Sequence, residues 1–233
     1  MPLSADLPPR LKVGILWDAD CIASNAAAVV DVLRTLQNLA AMRSPPAPVL
    51  AWEWLVLDVS EIPCGGWPPA GGGGAEGTHD VLVIPGTMAV SGPHLQEISL
   101  RQAQRARDTL HRHAERGAPV AAFFNGAALL AECGLLQGRE LALPWAFAPS
   151  VLRMAGQGAQ WRRDQPWHRD GGLWSTASLA HTVPAWLDLL AHTGVAELAQ
   201  AAASVLEFDA QRRLTATAHV QTPTGEPTAA GAL

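Results

Sequence analysis

Residues 117–136, GAPVAAFFNGAALLAECGLL, decide how the chain is read. Pro119 to Phe124 is a short apolar run of the kind that forms a strand buried on both faces. Asn125-Gly126 interrupts it, and Ala127 to Cys133 is rich in helix formers, with Gly134 as a natural stop. A strand that turns sharply into a helix holds one side chain at the bend, where backbone N–H groups and the positive end of the helix dipole gather. Such a bend suits a nucleophile, an oxyanion or a bound carboxylate. The residue at the bend is Phe124, which has no nucleophilic atom. The stretch therefore predicts the shape of a catalytic elbow without its catalyst.

On the N-terminal side, strand and helix signals alternate. Lys12 to Trp17 reads as a first buried strand, followed by a loop holding Asp18, Asp20 and Ser24. From Ala26 to Met42, Val29, Val32, Leu33, Leu36, Leu39 and Ala40 recur at helical spacing, and Pro45, Pro46 and Pro48 end the helix. Val49 to Leu57 reads as a second strand, and Glu53 within it argues for an edge strand or for one face reaching solvent. A Gly- and Pro-rich surface loop is expected over 62–78. Its glycines lack the Gly-Lys-Ser/Thr of a phosphate loop. Asp80 to Pro85 is a third strand ending in Pro85-Gly86-Thr87, and Pro93 falls in the first turn of an amphipathic helix reaching about Arg116.

Beyond the elbow, Gly134 to Gly138 reads as a turn and Leu141 to Phe147 as an extended piece broken by Pro144. Trp161 to Trp174 reads as a hairpin around Asp170-Gly171-Gly172, with His168-Arg169-Asp170 placed at the turn. Helices are expected over 178–192 and 195–206. The alternation implies an α/β fold with a mainly parallel central sheet covered on both faces. Ligands of such sheets sit at the carboxyl ends of the strands. That rule gathers Asp18 to Asn25, Gly86-Thr87, Phe124-Asn125 and Pro144-Trp145 around one site.

At 233 residues the chain is long enough for one sizeable domain, and 48% hydrophobic residues supply a buried core. The formal net charge is −5 and Lys12 is the one lysine, so no basic stripe announces nucleic-acid contact by this polypeptide. Arg101, Arg105, Arg107, Arg112 and Arg116 alternate with Asp108 and Glu115 as a solvated helix face does. MPLSADLPPR has no signal-peptide core, and no apolar run approaches the roughly 20 residues of a membrane span. Three cysteines without metal-type spacing fit reduced thiols in a cytoplasm. The eight histidines form no HxxH or HExxH pattern, so neither metal nor cofactor is called for.

Together, DVLVIPG (80–86), VAAFFNGAALLAECGLLQGR (120–139) followed by PWAF (144–147), and DGGLWSTASLAHTVPAWLDLL (170–190) resemble the ThiJ/PfpI superfamily. The fold this implies is the class I glutamine-amidotransferase-like one, a flavodoxin-like three-layer sandwich. The resemblance covers about 11–207 and is nearest to the N-terminal sensing domain of AraC/GlxA-type transcriptional regulators. It leaves 1–10 as a disordered start and 208–233 as a polar tail.

The departures from the family pattern bear on function. The position of the family's nucleophilic cysteine is Phe124, and its supporting acid falls on or near Asn25. Its histidine falls on Pro144, and the second glycine of its sheet-end motif on Thr87. Phenylalanine, asparagine and proline cannot supply a thiolate, an acid or a base. The resemblance thus implies a catalytically inactive small-molecule-sensing domain, homodimeric, whose DNA-binding region is absent from this chain. The expected ligand-binding residues are Asp18, Asn25, Gly86, Thr87, Phe124, Asn125, Gly126 and Trp145, with the Asn125 to Ala127 amides open to an anion or polar group.

The alternative is a hydrolase, hydratase or amidotransferase-like enzyme of this family built on other residues. Asp18, Asp20, Cys21 and His181 are its candidates. Each has a plainer reading. Asp18 and Asp20 would be loop carboxylates capping the next helix, and Cys133 a small buried hydrophobe. Cys64 would be an exposed loop thiol, and most tryptophans core or interface, with Trp17 and Trp145 near the site. A third possibility is a structural partner that covers another subunit with a tryptophan-rich hairpin around Trp161, Trp167 and Trp174.

Overall fold

A computed structural model describes residues 10–43, 49–57 and 78–206. The expected disordered start and polar tail, the prolines at 45–48, the glycine run and Cys64 lie outside these residues, Arg10 aside.

The sheet is built mainly from short apolar runs, Val81–Ile84 being buried throughout. β1 (Arg10–Trp17) pairs in parallel with β2 (Val49–Val56) and with β3 (Val81–Ile84). β3 pairs in parallel with β4 (Val120–Ala122), and β4 with β8 (Leu173–Thr176). β7 (Trp167–Asp170) closes the far edge antiparallel to β8, giving the order β2-β1-β3-β4-β8-β7. β2 is the outer strand, as Glu53 implies. Its carboxylate accepts from Lys12 Nζ of the neighbouring β1 at 3.0 Å and pairs with buried His79.

Side-chain alternation along the strands separates two cores. Val13, Ile15, Trp17, Val83 and Phe123 pack on one face against α1 (Ala23–Ala41), α5 (Thr182–Ala191) and α6 (Ala196–Val205). Leu16, Leu82, Ile84 and Ala122 pack on the other against α2 (Gly92–Glu115), α3 (Ala127–Glu132) and α4 (Ala148–Ala155). The result is the three-layer flavodoxin-like sandwich. Pro93 does sit in the first turn of α2, behind Ser91, whose Oγ accepts from His94 N at 3.2 Å.

Three expectations are corrected. The extended stretch from Leu141 ends at once: β5 is Glu140–Leu141, and Phe147 already stands at the N-cap of α4, with Pro149 in its first turn. Trp161 is outside the hairpin, in β6 (Gln160–Trp161), which pairs in parallel with β5. His168, Arg169 and Asp170 are strand residues of β7. The turn itself is Gly171-Gly172, where Gly171 takes φ +57°.

Candidate functional site

β4 ends at Ala122, and the chain bends at Phe124 into a 3₁₀ turn (Phe124–Gly126) that runs on into α3. Phe124 has φ +55°, the one positive value at a non-glycine residue among those described. For a bulky L-residue that conformation costs on the order of 1–2 kcal/mol, so its surroundings must hold it. Its N–H donates to Thr176 Oγ1 at 2.8 Å, and its half-buried ring meets Phe147 edge-to-face at 5.9 Å between centroids. The bend is also pressed onto the end of β3. A Cβ on Gly126 would stand 2.6 Å from the Pro85 carbonyl oxygen and 2.8 Å from that of Ile84.

Two buried carboxamides fasten the neighbouring loops. Asn125 Oδ1 accepts from Thr87 N at 2.7 Å while its Nδ2 donates to Thr87 O at 3.0 Å. Asn25, in the first turns of α1, accepts from Gly86 N at 3.0 Å and donates to Thr182 Oγ1 at 2.6 Å. A Cβ on Gly86 would lie 3.0 Å from Phe124 Cβ and 3.1 Å from both asparagine oxygens, so these residues converge on one point. Asn25, Gly86, Thr87, Phe124, Asn125 and Gly126 are thus brought together.

Neither Asp18 nor Trp145 is among the residues whose described hydrogen bonds converge on that point. Asp18 is buried, but its carboxylate accepts from Gln102 Nε2 at 2.7 Å and from Asp20 N at 3.1 Å. Asp20 pairs with Arg101. Neither caps α1, whose N-cap is Ile22 without a side-chain bond, so the capping expectation is corrected: both carboxylates tie the loop to α2. Trp145 is 72% exposed on the turn that leads to Phe147. Pro144 is buried there, its carbonyl accepting from the Phe147 and Ala148 N–H groups at 2.9 Å each.

Thr176 and Thr182 belong to the site and were missed. Neither carries a local signal, because each acts on a residue far away in sequence.

The electrostatics are muted. Among the elbow amides, Gly126 N–H donates to Phe123 O at 2.9 Å, so one of the three expected open donors is engaged. Every side chain fixing the bend is neutral. Burial, then the charge of Asp18, pushes the Cys21 thiol well up, which keeps it protonated and unreactive. Burial likewise raises Cys133, which sits at the end of α3 as a small core residue. Burial lowers His181, whose Nδ1 shares a 2.7 Å hydrogen bond with Ser178 Oγ and whose ring lies 6.0 Å from that of Trp167. No group of three or more His, Cys, Asp or Glu that could hold a metal ion occurs among the described residues, and none of their helices is long and apolar enough to cross a membrane.

The sequence profile of the DJ-1/PfpI family matches residues 74–193, just over half the chain. Drosophila melanogaster DJ-1beta superposes with a TM-score of 0.63 at 15% identity, covering 86% of this chain and 99% of that one. A DJ-1 superfamily protein from Salmonella typhimurium gives 0.62 at 20% identity, covering 85% and 99%. An AraC family transcriptional regulator from Pseudomonas putida gives 0.57 at 19% identity, covering 85% and 100%. Among curated protein sequences, none matches.

Proposed function

The chain belongs to the DJ-1/PfpI family, and from that premise we propose that it is a non-catalytic member, a domain that binds a small molecule at the elbow and reports its presence to a transcriptional response. The observation that carries this reading is Phe124 itself. It holds the strained backbone of a nucleophile's position, with its N–H tied to Thr176, yet offers no atom that can attack. The positions expected to hold a supporting acid and a histidine are Asn25, whose carboxamide is committed to Gly86 and Thr182, and buried Pro144.

The regulatory half of the reading draws on the likeness to the Pseudomonas putida AraC family regulator. In such an arrangement this domain pairs with a second copy and supplies the ligand response, and DNA contact falls to a separate region.

The test has two parts. Purified protein is assayed for hydrolysis of p-nitrophenyl acetate and of glutamine, and for iodoacetamide labelling by intact mass. It is then screened against a metabolite library by thermal shift. No turnover beyond that of heat-inactivated protein, with a saturable rise in Tm for one compound class, supports the reading. Turnover abolished by replacing Asp18, Cys21 or His181 would sink it.

A further inference from the structure

The proposed sensing site has a chemistry that selects among ligands, and it is not the one an elbow of this shape is expected to select. We infer that the site takes a neutral molecule with an aromatic or aliphatic face, and disfavours anions. The inference rests on the reading above, that the elbow binds rather than catalyses.

The first support is where the donors have gone. An anion at a strand–helix bend is held by backbone N–H groups and a nearby cation. Here Phe124 N–H is bonded to Thr176 Oγ1 and Gly126 N–H to Phe123 O. The Gly86 and Thr87 amides on the opposing loop are taken by Asn25 and Asn125. Four donors that would greet a carboxylate are spent within the protein. Arg101, on α2, is itself paired with Asp20. An anion entering here would lose its hydration and find little to replace it.

The second support is what remains exposed. Phe124 and Phe147 are both half-buried and set edge-to-face, so part of each ring stays open to a third group. The loops that carry the site also carry large exposed apolar side chains. Met88 (65% exposed) follows the clamped Thr87, Val90 (85%) lies two residues on, Trp145 (72%) precedes Phe147 by two, and Leu179 (44%) follows Thr176 by three. Of the seven large hydrophobic residues exposed on the described protein, Met88, Val90 and Trp145 sit on loops that follow strands and Leu179 opens the short 3₁₀ turn (Leu179–His181) after β8; Met42, Leu100 and Val205 sit on or at the ends of α-helices. These positions lie on the segments that follow strand ends, where ligands of such sheets sit. Satisfied polar groups behind and open aromatic carbon in front suit a neutral, flat ligand.

The experiment compares two probes of one skeleton, indole and indole-2-carboxylate, by saturation-transfer NMR and titration against the full chain. Indole is expected to bind about tenfold more tightly than its carboxylate, the scale of an uncompensated desolvation. Phe124→Ala and Trp145→Ala should each weaken indole by about fivefold or more, and Leu100→Ala, on the outer face of α2, should leave it unchanged. Circular dichroism and Tm identify any variant that fails to fold, and Trp145→Ala, at an exposed site, keeps the test open if Phe124→Ala does. Equal or tighter binding of the carboxylate overturns the inference and leaves the sensing reading standing. Absence of saturation transfer to indole, or indole binding untouched by both variants, overturns it as well. Catalytic turnover in the hydrolysis assays would overturn the sensing reading instead.

Discussion

Asn25 and Thr182, 157 residues apart in sequence, are joined by a buried 2.6 Å hydrogen bond from Nδ2 to Oγ1. The other end of the same carboxamide accepts from Gly86 N. One side chain therefore links the start of α1, the loop after β3 and the start of α5. Thr182→Val keeps the shape but removes the acceptor, leaving a buried amide donor unpaired at a cost of about 1–3 kcal/mol. Thr182→Ser should stay within about 1 kcal/mol of wild type. Urea unfolding of the two variants checks the order, and equal stability would show that the bond contributes nothing.

Phe124 offers an inverted preference. At an ordinary half-buried position valine substitutes for phenylalanine better than asparagine does. At φ +55° the β-branched side chain is the poorer fit and asparagine among the better ones. Phe124→Asn should be more stable than Phe124→Val by about 1 kcal/mol. Thermal unfolding reads the difference directly, and the opposite order would mean that burial of an apolar side chain outweighs the backbone preference.

Gly126 tests the closeness of the bend to β3. A methyl group there would meet two backbone oxygens that cannot swing away. Gly126→Ala should destabilise by about 2–4 kcal/mol, even though alanine is the better residue for the helix that follows. A variant as stable as wild type would place the bend further from Pro85 than described.

Acid should weaken the protein in two stages. Burial lowers both His181 and His113, the latter helped by Arg116 and His79 and opposed by the Pro119 carbonyl and Asp80. Both stay neutral in the folded protein at pH values where the unfolded chain, titrating near about 6.5, takes up protons. Their contribution is complete above that value and is lost as pH falls toward the lowered folded values. Burial alone would raise the Glu53 carboxyl, but hydrogen bonds and charge from Lys12 and His79 overcome it and hold it below the usual range. Its contribution is lost at still lower pH, as the carboxylate protonates. Tm measured from pH 7.5 downward should fall first through the histidine range and again below about pH 4.5. His181→Gln should flatten the first stage, and an unchanged slope in that variant would exclude His181 as a source.

β1 to β4 are legible because each is a compact apolar run bounded by proline, glycine or a carboxylate, and Glu53 within β2 fits its place at the edge; β7 is not, because Trp167-His168-Arg169-Asp170 is mostly polar and reads as a turn. The bend at Phe124 was legible from the break at Asn125-Gly126. α4 was not anticipated, since Pro144 reads as the end of an extended piece, whereas the turn it begins delivers Phe147 to a helix start. Asp18 and Asp20 look like caps because that is the local use of a loop carboxylate; Gln102 and Arg101, more than 80 residues on, win the contest. Thr176 and Thr182 enter the site through tertiary contact, and an isolated threonine gives no sign of its distant partner. Six of the expected site residues meet because strand ends and the loops beyond them are set by topology, which periodicity does reveal.

The order of the sheet has a consequence for how the protein is made. β4 is complete at Ala122, but its partner β8 begins only at Leu173, with α3, α4 and the small β5–β6 pair intervening. A ribosome releasing this chain from the N-terminus holds out a strand with one unpaired edge, ending in two adjacent phenylalanines, for about fifty residues of synthesis. Until β8 arrives, Phe124 has no Thr176 to receive its N–H and Asn25 has no Thr182. The elbow is thus a late product of translation, and the apolar segment that defines it is the part of the nascent chain most in need of shelter.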